Sequence, residues 1–395
     1  MFVFPFKMSI FSSNKPKIAI VFDIGSSSVG GAAVLLYPES KPKLLYSVRK
    51  DMVFQENFRF ERFVASMLET LEKVAQDVSK VTLPPHSEKT FSCFLASPWY
   101  ASQTRVLKKK FDVPFKVNEK LLDETLQKEI EDFKTQEVQK MGSDAVILET
   151  KTIQTKLNGY ETSNPIGKEA IDFQTAIYIS ISPNKIVQTI TEKIKKTFHA
   201  HSLHFNSFPF SSFVVMRDMF HEKNFLFMDI SGEVSDISIV RDNILQETVA
   251  FPLGKNFLIR KLASEIGSTF QEAASQFRMA KNEELEEGHD KKVKKTLDKV
   301  GKEWITAFQN SLQSISGRKE LLPRDIFITA DEDVSRWFIE NLQDSGADSL
   351  SVAGAVFNIR HLNGPFFSSF CDSETSVERD AFLMIESLFI NRLAT

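Results

Sequence analysis

Apolar positions fall along the chain in short runs and helical stripes that define its elements. From Lys17 to Leu36, the runs KIAIVFD and VGGAAVLLY flank a glycine and serine turn, a pattern that predicts a β-hairpin. Leu44 to Met52 adds a third strand, and Phe58 to Val78 carries apolar residues at helical spacing, which predicts an amphipathic helix. Phe91 to Ser97 reads as a strand, after which a different unit begins. In that unit Ser102 to Val113 is strand, Asn118 to Lys134 helix, and Ala145 to Leu157 and Ala170 to Ser182 are strands around the turn Asn158 to Gly167. Pro183 then starts a helix over Asn184 to Phe198.

A second strand and turn pattern follows at Phe225 to Val240, FLFMDISGEVSDISIV, of the same kind as the first: apolar strand, Asp, Ile, small residues, apolar strand. A hairpin that recurs in both halves points to a duplicated two-lobe fold. Beyond it, Phe257 to Lys281 is expected to be one helix and the charged stretch Asn282 to Lys295 an exposed loop or frayed helix ends. Thr296 to Ile315 is helix, Asp325 to Thr329 a buried strand, Val334 to Leu342 helix, and Val377 to Leu393 a last helix that belongs to the core.

Length supports two lobes, because 395 residues exceed what one ordinary core organises. Forty-nine basic against 52 acidic residues leave a net charge of -3 with no long basic stripe, which argues against nucleic acid as a partner. The two cysteines, Cys93 and Cys371, and the seven histidines form no metal-type spacing. Thirty-six Phe against 5 Tyr and 3 Trp point to an aromatic core rather than an aromatic wet surface. Residues 1–16 form a Phe-rich leader too short and interrupted to span a bilayer, left as a disordered segment or one that touches a membrane or partner.

Candidate chemistry concentrates in the two hairpins, because neither a GxxxxGK[ST] loop nor a GxGxxG after a strand is present. In the first, Gly25 permits a tight turn, so that backbone N–H groups of Ser26, Ser27 and Ser28 would meet a phosphate, with Asp23 facing magnesium through water. The second offers Asp229, Ser231, Gly232, Glu233 and Ser235 in the same arrangement, while Asp236 reads more readily as a surface residue than as an extra carboxylate. Either motif alone reads more readily as a plain hairpin turn; their pairing favours two lobes clamping one nucleotide.

Taken together, these motifs resemble the actin-like ATPase superfamily, and within it the bacterial FtsA and PilM adaptors. VFDIGSSSVGGAAV resembles the phosphate-1 motif, FMDISGEVSDISIV the phosphate-2 motif, ETVAFPLGKNF the strand and Pro-x-Gly turn after it, and LLPRDIFITADEDVSRWFIENL the adenosine motif. LNGYETSNPIGKEAIDFQTAIYIS resembles the end of the subdomain inserted in FtsA. The resemblance implies an α/β, two-lobed actin-like (ribonuclease H-like duplicated) fold with an SHS2-type 1C insertion. The divisions would be 17–87 for the first part of lobe 1, 88–182 for the insertion, 183–222 for the return to lobe 1, 223–376 for lobe 2 and 377–395 for the closing helix.

The resemblance further implies ATP and Mg as ligands, with Ala330 and Arg278 on the nucleoside side and Asp23 and Asp229 as the magnesium carboxylates. At the paired glycines of the adenosine motif this chain has Ala330 and Asp331, at the acid and lysine that meet the nucleoside Ser275 and Arg278, and the basic residue of phosphate 1 is absent. A non-enzymatic cytoplasmic adaptor at the inner membrane face is therefore expected, with weak or lost ATP binding. It would be of the FtsA type recruiting division proteins, alternatively of the PilM type in pilus assembly, with self-association and only indirect membrane contact. A small-molecule kinase of the same superfamily is the second alternative, and a platform that has lost its ATP the third.

Overall fold

In the computed structural model, residues 16–37, 39–141, 144–281, 287–314, 321–344 and 356–394 are described. Elements are numbered along the chain. Strand β1 (Lys17–Ile24) pairs antiparallel with β2 (Ser28–Leu36), which pairs antiparallel with β3 (Lys43–Asp51). On its other side β1 pairs in parallel with β4 (Glu88–Leu95), and β4 with β9 (His204–Ser207). The second half repeats this order. β10 (Phe225–Ile230) and β11 (Ser235–Arg241) form a hairpin continued by β12 (Ile244–Phe251), while β13 (Asp325–Ala330) and β14 (Asn358–His361) run parallel on the far side of β10. The duplication expected from two short motifs thus extends to the order and direction of five strands in each of two sheets.

Alternation along β1 sends its two faces into different cores. Ile18, Ile20, Phe22 and Ile24 pack under α1 (Phe60–Ser79) and α3 (Asn184–Phe198), whereas Ala19 and Val21 join the core that contains α4 (Phe208–Phe220) and α10 (Ala381–Leu393). Buried Phe63, Met67, Thr70, Leu71, Val74 and Val78 recur at the helical period on α1. Gly31 of β2 lets this helix approach, since a Cβ there would lie 2.5 Å from Val74 Cγ1. Helix α10 is buried on most of its surface and belongs to the core, as its composition predicts. Phenylalanines of α4 join the lobes: Phe208 packs on Phe227 of β10 with ring centroids 5.9 Å apart and on Phe382 of α10 at 5.4 Å.

A separate four-stranded sheet is inserted in the first lobe. It orders β5 (Ala101–Lys116), β8 (Glu169–Pro183), β6 (Ala145–Leu157) and the short β7 (Tyr160–Glu161), with α2 (Glu119–Met141) on one face. The insertion begins at Ala101 rather than 88, because β4 is a full member of the first sheet, in register with β1 from Lys17↔Glu88 to Ile24↔Leu95. The return to lobe 1 also comes before 377: Phe367 of α9 (Gly364–Phe367) is in the α4/α10 core, and β15 (Asp372–Ser373) pairs with β3.

The single helix expected over 257–281 is two, α5 (Lys255–Ile266) and α6 (Phe270–Lys281). Gly267, at φ +73°, ends α5 as a left-handed cap. Thr269 and Glu272 then start α6 as a capping box, the Thr269 N–H donating to Glu272 Oε2 at 2.8 Å and the Glu272 N–H to Thr269 Oγ1 at 3.3 Å. Most of the charged stretch 282–295 is the opening of α7 (Glu287–Ser314), not a loop; 282–286 lie outside the described residues, as does the leader up to 15. Helix α8 (Glu332–Asp344) follows β13. No described helix is long and apolar enough to cross a membrane.

Candidate functional site between the two hairpins

The hairpin tips meet face to face across the lobes. Each is closed by the same turn, Gly25 N–H to Ser28 O at 3.1 Å and Ser231 N–H to Val234 O at 3.0 Å, and neither Gly25 nor Ser231 has a left-handed φ. Ser26 Oγ lies 2.6 Å from Ser231 Oγ and accepts the Glu233 N–H at 2.9 Å. Gly232 touches Ser27 so closely that a Cβ on it would sit 2.1 Å from that serine's Cβ. The first amides of α5 are turned onto the second hairpin, Lys255 N–H to Ser231 O at 2.9 Å and Asn256 N–H to Gly232 O at 2.7 Å. Ser235 faces away from the cleft, donating to Leu253 O at 2.7 Å beside the Trp304 indole.

Beneath the tips, both aspartates are buried, each with a different neighbourhood. Asp23 accepts from Arg49 Nη2 at 2.7 Å; the same guanidinium donates to Asp380 Oδ2 at 2.5 Å and Ser28 Oγ at 2.9 Å, and stacks 4.9 Å from the Phe382 ring centre. Burial raises the Asp23 pKa more than Arg49 lowers it. Burial works the same way on Asp380, but there Arg49 prevails and holds the carboxyl below its ordinary value. Glu386 of α10 is wholly buried, and burial together with the charge of Asp23 pushes it well above the usual carboxylate range. Neither of its oxygens has a hydrogen-bond partner among the described residues. In the second lobe Asp229 accepts from Thr329 Oγ1 at 2.9 Å and faces Asp236, which accepts from Ser97 Oγ of the first lobe at 2.7 Å. Burial pushes Asp229 well up, helped by the charge of Asp236, and raises Asp236 itself to about 7.

On the nucleoside side, Ala330 is buried at the end of β13, and Asp331 accepts from Lys255 Nζ at 2.9 Å, with Asp333 accepting from the same ammonium at 3.0 Å. Glu233 accepts from Asn256 Nδ2 at 2.8 Å and is ion-paired with Arg260. Phe54, from the segment after β3, stacks on Phe270 with ring centroids 3.3 Å apart and planes at 17°. Arg278 is exposed on α6 and is not among the residues that line the cavity between the hairpins. The cavity between the hairpin tips, Phe54, Phe270, Lys255 and Asp331 has a volume of about 110 Å³; Phe54 and Phe270 part it from an open cleft of about 590 Å³ lined by Phe257, Arg260 and Lys261.

As they stand, these residues do not fit a nucleotide with magnesium. Drug-sized ligands take pockets of roughly 300–1,000 Å³, and the Ser26 hydroxyl is spent on the second hairpin, bonded to Ser231 Oγ and the Glu233 N–H. Asp23 is ion-paired with Arg49 and Asp229 accepts from Thr329, so neither stands in the cleft as an unpartnered carboxylate. Among the described residues no group of three or more His, Cys, Asp or Glu is placed to hold a metal.

Of the expected site, Asp23, Gly25, Ser26, Ser27, Ser28, Asp229, Ser231, Gly232 and Glu233 do come together, while Ser235 turns into the second lobe and Arg278 stays outside. Arg49, Ser97, Lys255, Asp380 and Glu386 were not anticipated. Arg49 lies directly across from Gly30 only because the β2–β3 register shifts by one residue between Ala33 and Val34, which counting along the sequence does not give; Asp380 was findable as an Asp before an apolar helix, where its carboxylate accepts the Leu383 N–H at 3.0 Å.

No protein-family model matches the chain, and no curated protein matches it in sequence. Solved structures do. A chain of the PilM-PilN type IV pilus biogenesis complex is 14% identical with a TM-score of 0.62, covering 95% of this chain and 98% of its own. The ethanolamine utilization protein EutJ from Carboxydothermus hydrogenoformans is 10% identical at a TM-score of 0.39, over 96% and 90%. Lmo2764, a putative N-acetylmannosamine kinase from Listeria monocytogenes, is 11% identical at 0.40, over 96% and 99%. With two sheets of the same duplicated topology meeting at paired hairpins, and a match over nearly the whole of the pilus protein, the chain has the actin-like ATPase fold.

Proposed function

We propose that this chain is a non-enzymatic adaptor of the PilM type, which recruits a pilus-assembly protein at the inner face of the membrane without nucleotide as a working ligand. The observation that carries the reading is the extent of the structural likeness, 98% of the pilus protein's chain at a TM-score of 0.62. An alignment of that extent takes in the inserted four-stranded sheet, the part read as the SHS2-type subdomain, as well as both lobes. The FtsA-type reading shares the fold and is the runner-up. Against phosphoryl transfer stands the contact between the hairpins: that chemistry needs an open site that positions nucleotide and acceptor, whereas here the hairpins bond to each other.

Affinity capture on immobilised protein separates the readings. The chain is expected to retain a PilN-type pilus protein and to let a tubulin-like division protein pass. Retention of the division protein alone would replace the PilM-type reading with the FtsA type.

A further inference from the structure

The segment that leaves β3, Met52–Arg59, crosses from the first lobe to the second over the mouth of the cleft. Its start is fastened to the first lobe, with Met52 N–H donating to Ser27 O at 2.7 Å and Val53 N–H to Ser66 Oγ at 2.8 Å. Its middle is fastened to the second. The Phe54 ring stacks on Phe270, the Arg260 guanidinium lies 5.5 Å from the Phe54 centroid, and Arg260 Nη1 donates to Gln55 O at 3.2 Å. Arg260 is itself oriented by Glu233 at the tip of the second hairpin, through Nη1 to Oε1 at 3.1 Å. An aromatic face below and a planar cation alongside are the surroundings that a nucleobase commonly takes from a protein. Here the chain's own phenyl ring has them, and together with Met52 and Gln55 it walls the small cavity against the hairpin tips.

We propose that Met52–Arg59 is a built-in occupant of the cleft, with Phe54 held against Phe270 and Arg260 as a base would be, so that the lobes stay closed without nucleotide. This rests on the nucleotide-independent half of the reading above and not on which partner is recruited. Spin labels on Lys73→Cys of α1 and Lys299→Cys of α7, both exposed, report the distance between lobes while the buried Cys93 and Cys371 stay unlabelled. One narrow distance distribution is expected with and without millimolar Mg·ATP, moving to longer and broader distances in Phe54→Ala and returning in Phe54→Trp. A shift of the unsubstituted protein on adding Mg·ATP, or an unchanged distribution in Phe54→Ala, overturns the proposal. Phe270→Ala attacks the same stack from the other lobe and is expected to match Phe54→Ala in direction; both rings are half-buried, but Phe270 also packs on the second lobe's core, so Phe54→Ala is the cleaner variant. Partner capture is read separately, so a failed adaptor reading and a failed plug give different results.

Discussion

The two hairpins are copies in topology and differ in what answers their buried aspartates. Asp23 and Asp229 hold the same place, each the penultimate residue of the central strand, followed by the same closed turn. Across from Asp23 stands Gly30, and across from Gly30 stands Arg49; across from Asp229 stands Asp236, and across from Asp236 stands Ala250. On the parallel side, Phe94 neighbours Asp23 and Thr329 neighbours Asp229. The first lobe therefore answers its buried carboxylate with a cation that reaches over a residue lacking a Cβ, since a Cβ on Gly30 would sit 2.8 Å from Arg49 Nη2. The second puts another carboxylate opposite and relies on hydroxyls from Thr329 and Ser97. One backbone plan thus yields an aspartate paired with a cation in one lobe and an aspartate facing a second carboxylate in the other.

The largest break in this comparison comes from Arg49→Ala. Removing the cation leaves Asp23 and Asp380 buried against Glu386 with no counter-charge, and loss of one partner of a buried pair costs about 3–5 kcal/mol. Urea unfolding is expected to show an unfolding free energy lowered by that amount, read as a lower midpoint at constant slope. A loss no larger than that of an ordinary surface substitution would mean that the guanidinium does not govern the first hairpin.

Asp236→Asn tests the second lobe through pH. The carboxyl rises from its ordinary 3.8 to about 7 on folding, so the native state holds a proton that the unfolded chain releases first. Its contribution is complete below about pH 4 and is lost as the pH climbs to about 7, at roughly 1.4 kcal/mol per pH unit. Asp23, Asp229 and Glu386, also raised, act in the same direction in both proteins, so the informative quantity is the difference in slope between wild type and Asp236→Asn. Unfolding free energies across this window are expected to fall less steeply in the variant, which keeps an acceptor for Ser97. Parallel curves would show that Asp236 is ionised throughout.

How far this was legible in the sequence follows the same division. The hairpins announced the fold, because strand, Asp, turn and strand are local features, and their repetition extended to five strands in each of two sheets. Thr269 and Glu272 spelled a helix start that the apolar period of 257–281 masked, since periodicity runs through a glycine that the backbone does not. The partners of the aspartates were less accessible. Arg49 gains its role only from the register of three strands and the missing Cβ of Gly30, and Asp380 and Glu386 arrive from the far end of the chain. Phe54 followed a predicted strand with nothing local to mark it, and its meaning depends on Phe270 in the other lobe. Sequence pattern reports what a segment is; it carries much less about what a segment meets.

The smallest effect, and the sharpest probe of the contact between the two hairpins, belongs to Ser26→Ala. Ser26 Oγ is bonded to both Ser231 Oγ and the Glu233 N–H, so its removal deletes two bonds between lobes and leaves each hairpin's own turn intact. A net hydrogen bond contributes about 1 kcal/mol, and an amide left without a partner adds to that. The loss is expected to be about 1–2 kcal/mol by urea unfolding, well below that of Arg49→Ala. Because Ser26 belongs to neither the Arg49 cluster nor the Asp229/Asp236 pair, its effect should add to that of Arg49→Ala in the double variant, as independent sites do. A double variant no less stable than Arg49→Ala alone would show that loss of the cation already parts the hairpins, making Arg49 the support for the contact between lobes as well as for its own aspartate.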